Sequence, residues 1–328
     1  MPVPPGSQIH AMLHADTPHN HFYRPKPSIN TMAALVGCSG WSYDDWVGRF
    51  YPNELATKKG EWFNYYSRFF PTVEINSTFY RVPNEFMVKS WIEKAKSKLG
   101  FQFSVKLPQI VTHESILKDS PEKAAAQASS FEDVCVKPLA DAGFLGGVLI
   151  QLSPYFKLDD KESLGKLRTL FQMLETDNYR YAVEFRHRSW LNEKGNEITS
   201  DTIEVLQEFG VANVILDGPG FPMTRSLTAK HAYVRFHGRN YDIWFKEESE
   251  DDYRINRYDF LYTHDQLASW EPRITEIVSN CDTAWIYFNN HGRAKAVKNA
   301  FQMMDIMGIA HEEKDLEIQD QRRLGEFG

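Results

Sequence analysis

Cysteine is scarce in this chain: Cys38, Cys135 and Cys281 are the only three in 328 residues. An odd number at wide spacings, with no CxxC pair, excludes a disulfide framework and a zinc knuckle and fits a reducing compartment. Long apolar runs are missing too. No stretch approaches 18 apolar residues, and the first thirty hold prolines and polar groups where a secretory signal needs a hydrophobic segment. A cytoplasmic protein without membrane contact is expected. Positive charge is not in excess, since 37 Lys and Arg face 44 Asp and Glu for a formal net charge of −7. That balance argues against an extended duplex nucleic-acid surface and leaves room for a local basic pocket. Nor does a GxGxxG follow the first strand signal, so no dinucleotide cofactor is expected.

What the chain does have is ordinary globular material, 42% hydrophobic and 25% charged. Residues 1–33 carry Pro2, Pro4, Pro5, Gly6, Pro18, Pro25 and Pro27, which break every local period and predict a disordered extension. His10, His14, His19 and His21 lie within it at spacings that match no fixed helical face, so adventitious metal contact is the expected reading. Residues 311–328 mix charges of both signs with few apolar anchors and predict a solvated tail, leaving 34–310 as the folded domain.

Within that domain strand and helix signals alternate. Apolar, β-branched and aromatic runs recur at residues 35–40, 72–77, 101–106, 147–152, 181–186, 211–217, 232–237 and 283–289. Helical patterns fall at 61–69, 85–98, 121–142, 161–174, 201–209, 264–279 and 293–307, with Ser120 before Pro121, Thr263 before Gln266, and Gly308 as start and stop signals. Eight such units between Leu35 and Asn289 match the roughly 250 residues of a (β/α)8 TIM barrel of the α/β class. Gly218, Pro219, Gly220 and Pro222 leave little chain for a sixth helix, which is expected to be abbreviated.

The strands are unusually polar. Parallel strands covered by helices normally read as continuous apolar runs. Here Glu74 and Asn76 alternate with Val73 and Ile75, Ser104 and Lys106 with Phe103 and Val105, and Glu184 and Arg186 with Val183 and Phe185. Gln151 follows Ile150, Asp217 follows Leu216, Arg235 and His237 alternate with Val234 and Phe236, and Tyr287 and Asn289 with Ile286 and Phe288. The apolar set should face the helices and the polar set the barrel interior, at the carboxyl ends where such barrels place chemistry.

Buried ions cost several kcal/mol each unless paired, so the arrangement needs a reason. One reason is structural: Glu74, Glu184 and Asp217 balance Lys106, Arg186 and Arg235 in a self-compensating network, with His237 left over. The functional reading assigns Lys106, Arg186 and Arg235 to an anionic group, Glu74 or Glu184 to general-base work and His237 to proton donation, with Asp217 counted among the catalytic residues. Asn76, Gln151, Tyr287, Asn289, Asn290 and His291 would orient substrate. Trp41, Tyr43, Trp46, Tyr80, Trp190, Tyr241 and Trp244 follow strand ends and either stack on sugars and bases or plug the mouth as a small core. Of His113, His187, His237 and His291 near strand ends, only His237 shares the inward phase, and none forms HxH or HExxH spacing, so no metal is expected.

The segments GCSGWSYDDWVGRFYP (37–52), VEINSTFYRVP (73–83), FSVKLPQIVTH (103–113), VEFRHRSW (183–190), YVRFHG (233–238) and YFNNH (287–291) together resemble the domain-of-unknown-function family 72, over about residues 35–308. The resemblance implies a (β/α)8 barrel with a cleft at its C-terminal face, similar in shape to endonuclease-IV-like and sugar-isomerase-like barrels; the metal-ligand set of the former is not evident, and the proline-rich extension lies outside the pattern. Three functions fit these residues: a hydrolase or lyase acting on a phosphorylated or nucleic-acid-derived substrate, a sugar or sugar-phosphate isomerase, and a non-catalytic module for an anion or a nucleic-acid end. The expected partner is a small anionic substrate or a single-stranded nucleic-acid end.

Overall fold

The computed structural model describes residues 34–244, 257–316 and 318. The expected extension over residues 1–33 and most of the expected charged tail lie outside them.

The apolar runs become eight strands: β1 (Ala34–Ser39), β2 (Thr72–Ile75), β3 (Gln102–Lys106), β4 (Leu145–Gln151), β5 (Tyr181–Glu184), β6 (Ala212–Asp217), β7 (His231–Phe236) and β8 (Thr283–Phe288). Each pairs in parallel with the next, and β8 closes on β1 through Ala34 opposite Ala284 to Cys38 opposite Phe288, giving a (β/α)8 barrel. One phase of each strand faces outward. Val73, Ile75, Phe103, Val105, Val148, Ile150, Val183, Ile215, Val234, Phe236, Ile286 and Phe288 join a single core with the surrounding helices. The other phase fills the barrel, where Leu149, Ala182, Ala212, Val214, Tyr233, Trp285 and Tyr287 form a separate plug below the polar layer. Gly147 makes room for that plug, because a Cβ there would lie 2.9 Å from the Tyr233 ring.

Helix ends follow the predicted signals. Ser120 accepts from Lys123 N ahead of Pro121, Thr263 and Gln266 form a reciprocal capping box, and Gly308 closes the last helix at φ 66°. Two predicted helices are broken where proline removes a backbone donor. The stretch 121–142 becomes Pro121–Phe131 and Lys137–Asp141 around a π-turn, Glu132–Val136, just before Pro138. The stretch 264–279 splits into His264–Ala268 and Glu271–Asn280, with Pro272 in the first turn of the second piece. No helix occurs between β6 and β7, where Gly218, Pro219, Gly220 and Pro222 sit.

The described part of the tail touches the barrel. Arg68 pairs with Glu312 at 2.5 Å, Lys314 stands over Tyr65, and Ile318 is buried in the outer core. Among the described residues no helix is long and apolar enough to cross a membrane.

Candidate functional site

Alternation along a parallel strand decides which side chains meet inside a barrel. Arg235, on the inward phase of β7, is 1% exposed at its side chain and bridges two carboxylates, donating to Glu74 at 2.7 Å and to Glu184 at 2.5 Å. The Tyr233 hydroxyl donates to the second Glu74 oxygen at 2.7 Å, and Arg186 pairs with Glu184 from two residues beyond it. Glu74, Arg235, Glu184 and Arg186 thus form the compensating chain of charges that the structural reading of the sequence anticipated, without Asp217 or Lys106. Burial alone would raise the Glu184 pKa, but Arg186 and Arg235, with His237, outweigh it and hold the carboxyl well below its usual range.

Lys106 ends β3 beside this chain. Thr78 fixes its backbone, donating to Lys106 O at 2.7 Å and accepting from Lys106 N at 3.0 Å. Its ammonium stands 3.7 Å from the centre of the Phe79 ring and has no carboxylate partner among the described residues. Burial, reinforced by Arg235 and opposed by Glu184 and Glu74, lowers its pKa to about 7.

Above the charges opens a cavity of about 580 Å³ at the carboxyl ends of the strands, placed like the catalytic cleft of barrel enzymes. Lys106, Arg186 and Arg235 line it together with Asn76, Gln151 and Asn289. Gln151 accepts from Arg186 at 3.2 Å and from Arg235 at 3.4 Å, while Asn76 donates to Asn289 at 3.4 Å. Its aromatic wall is a stack in which Tyr43 lies 4.4 Å from His291, and His291 4.9 Å from Tyr258, ring centre to ring centre. Tyr80 and Tyr155 stand at the rim, 72% and 79% exposed.

Several assigned residues sit elsewhere. Glu74, Glu184 and His237 are buried one layer behind the cavity wall. Burial lowers the His237 pKa to about 4, against the pull of Glu184, so its imidazole is neutral and is not the proton donor expected of it near pH 7. Asn289 Nδ2 lies 3.0 Å from Nδ1, while Nε2 lies 3.4 Å from Arg186 Nη2 and 3.5 Å from Glu184.

Asp217 is the clearest correction. Ala212 and Val214 face inward, so Asp217 belongs to the outward phase of β6. Its carboxylate takes Arg239 Nε at 2.8 Å and Nη2 at 2.5 Å, Tyr262 OH at 2.9 Å and Trp270 Nε1 at 3.0 Å. No lone pair is left for a base, and the residue ties the chain after β7 to the outer helices.

Trp41 packs behind the wall on Phe63 and Phe103, Tyr287 is held inside the plug by Thr72 and Ser104, and Asn290 bonds Phe260 O and Asn299. Trp46 and Trp190 are fully buried core residues, so the aromatic set divides between rim and core.

Phe79, Tyr155, Arg257 and Tyr258 line the cavity and were not singled out from the sequence. Phe79 was findable, since it follows β2 within a helical turn, Ser77–Tyr80, that tips toward Lys106. Arg257 stacks on Trp244 at 4.5 Å, a tertiary contact that no sequence period encodes. His113 reaches the cavity from a π-turn, Ile110–Ser115, packed edge-on to Phe79; burial and then Lys106 lower its pKa to about 4. His291 is likewise lowered to about 4 by burial. Among the described residues no three His, Cys, Asp or Glu side chains converge as a metal site.

Comparison with known proteins places this geometry in a family. The family model described as "Protein of unknown function DUF72" matches residues 35–323. UPF0759 protein YunF of Bacillus subtilis (strain 168) is 28% identical over 285 residues, covering 84% of this chain and 95% of that protein. UPF0759 protein YecE of Escherichia coli (strain K12) is 24% identical over 260 residues, covering 70% and 86%. The crystal structure of a DUF72 family protein (TM1631) from Thermotoga maritima MSB8 shares 30% identity at a TM-score of 0.70, covering 84% of this chain and 99% of that one. A second DUF72 family protein (EF0366), from Enterococcus faecalis V583, shares the fold at 21% identity and a TM-score of 0.68. With its barrel closed and its matched segments spanning strands and cavity alike, the chain belongs to the DUF72 family.

Proposed function

We propose that this protein is an enzyme, a hydrolase or lyase, acting on a small phosphorylated or nucleic-acid-derived substrate held in the cavity above Arg235. The observation that carries the reading is the sign of the wall: among the described lining residues every charged side chain is basic, namely Lys106, Arg186, Arg235 and Arg257. The two carboxylates lie behind that wall, spent on Arg235 and Arg186. Arg supplies forked donors that match phosphate or carboxylate, and the Tyr43, His291 and Tyr258 stack offers flat faces to a ring. Proton transfer near neutral pH falls to Lys106, because the neighbouring imidazoles stay neutral. An isomerase exchanging protons through Glu74 and Glu184 has less support, since both are engaged by arginine.

Calorimetric titration of the full chain with a nucleoside monophosphate, a sugar phosphate and their unphosphorylated counterparts tests this. Phosphorylated compounds should bind at least about tenfold more tightly, with that margin lost in Arg186→Ala. Equal affinity for both sets, or no effect of Arg186→Ala, rejects the anion site. Tight binding with no turnover of any bound compound would favour the non-catalytic module.

A further inference from the structure

We infer that Lys106 is a nucleophile that forms a covalent imine with an aldehyde or ketone carrying an anionic group. The inference rests on the anion-site reading above and narrows it toward a carbonyl substrate and a lyase.

Lys106 and Lys295 are the two buried lysines among the described residues, and they differ in one respect. Lys295 is paired with Asp259 at 2.9 Å. Lys106 has neither an ion pair nor a side-chain hydrogen bond among the described residues, although Glu74 and Glu184 belong to the same cluster, because Arg235 occupies one and Arg235 and Arg186 the other. Its amine therefore lies on the cavity wall, over the Phe79 face, next to two guanidinium groups that disfavour a third positive charge. His113 adds no charge of its own. A desolvated lysine beside other cations is the arrangement by which proteins hold an amine unprotonated and reactive toward carbonyls.

The step balances without an oxidant or reductant. The amine lone pair adds to the carbonyl carbon, and one amine proton passes to the oxygen, giving a carbinolamine. The nitrogen lone pair then forms the C=N bond as the hydroxyl, taking a proton from solvent, leaves as water. The product is a cationic imine bearing the same charge as the ammonium it replaces, in the field of Glu74 and Glu184. Arg186 and Arg257 are placed on the same wall to take the substrate's anionic group.

Trapping tests this directly. The full-length protein at pH 7 is incubated with glyceraldehyde 3-phosphate or with unphosphorylated glyceraldehyde, reduced with sodium cyanoborohydride, and mapped by peptide mass spectrometry. Surface lysines serve as internal controls. Lys106 should be labelled by the phosphorylated probe at least about tenfold faster than any of them, a gain set by the larger unprotonated fraction against lower intrinsic nucleophilicity. Inorganic phosphate should protect it, and Lys106→Met, with an unchanged circular dichroism spectrum, should lose the labelled peptide. Labelling no faster than at surface lysines overturns the inference while leaving the anion site standing. Equal labelling of Lys106 by both probes keeps the imine and removes the anion site.

Discussion

Lys106 and Phe79 meet with the ammonium 3.7 Å from the ring centre, and that ring stands where a buried lysine ordinarily has a carboxylate. A cation over an aromatic face gains about 0.5–2 kcal/mol, whereas desolvating the ion costs several, so the ring cannot restore the proton affinity that burial removes. Lowering the folded-state pKa from 10.5 to about 7 has a sign. Between those values the unfolded chain binds a proton that the folded chain does not, so this residue's contribution to stability rises with pH across the window. Lys106→Met should erase that rise and stabilise the protein at pH 6 by about 1–3 kcal/mol, the gain shrinking toward pH 10. Urea denaturation of both proteins at several pH values measures it; parallel stability curves would show that Lys106 keeps ordinary basicity.

Glu184 carries the opposite burden. Its carboxylate joins Arg235 and Arg186 with no exposure of its own, so Glu184→Gln leaves Arg186 without a carboxylate partner and Arg235 with Glu74 as its one carboxylate among the described residues. Breaking one side of a buried ion pair costs about 3–5 kcal/mol. Glu184→Gln should therefore lower the denaturation midpoint at unchanged slope, and a double-mutant cycle with Arg186→Met should recover part of the loss. A variant as stable as the parent would mean that the network contributes nothing to folding and that Glu184 is free for chemistry.

How far the sequence revealed this site depends on what alternation encodes. The period of two placed Glu74, Lys106, Gln151, Glu184, Arg186, Arg235 and Asn289 inside the barrel correctly, because a one-residue shift would put Val73 or Phe236 among the charges. It was misapplied at Asp217, where position at the strand end was taken for phase; Val214 two residues inward of Leu216 carried the right answer. Depth was not legible. Glu184 and Arg186 share a face, yet one lies behind the wall and the other on it, a difference set by barrel height and by the loops above. Arg257 and Tyr258 reach the cavity through tertiary packing that periodicity does not encode.

Asp217 gives a control for that distinction. Four donor hydrogens, from Arg239, Tyr262 and Trp270, converge on its two oxygens. Asp217→Asn would aim an NH2 group at donors, at a cost of about 2–4 kcal/mol. Because the carboxylate faces away from the main cavity, affinity there for a phosphorylated ligand should stay within about twofold of the parent at a temperature where both are folded. Lost turnover with stability intact would return Asp217 to the chemical machinery.

Sulfate separates the charge of Lys106 from the charge of its ligand, because it stays a dianion from pH 6 to 9 whereas phosphate does not. His113 and His291 titrate near 4 and stay neutral throughout that range. Lys106 loses its proton in the interval, with a pKa of about 7. Sulfate affinity should therefore fall by about tenfold between pH 6 and pH 9 as the wall loses one of its positive charges. Lys106→Arg, which cannot deprotonate in this range, should bind sulfate with nearly flat pH dependence, and Lys106→Met should show weak, equally flat binding. A slope that persists in both variants would assign the titration to another group and remove Lys106 from the anion site.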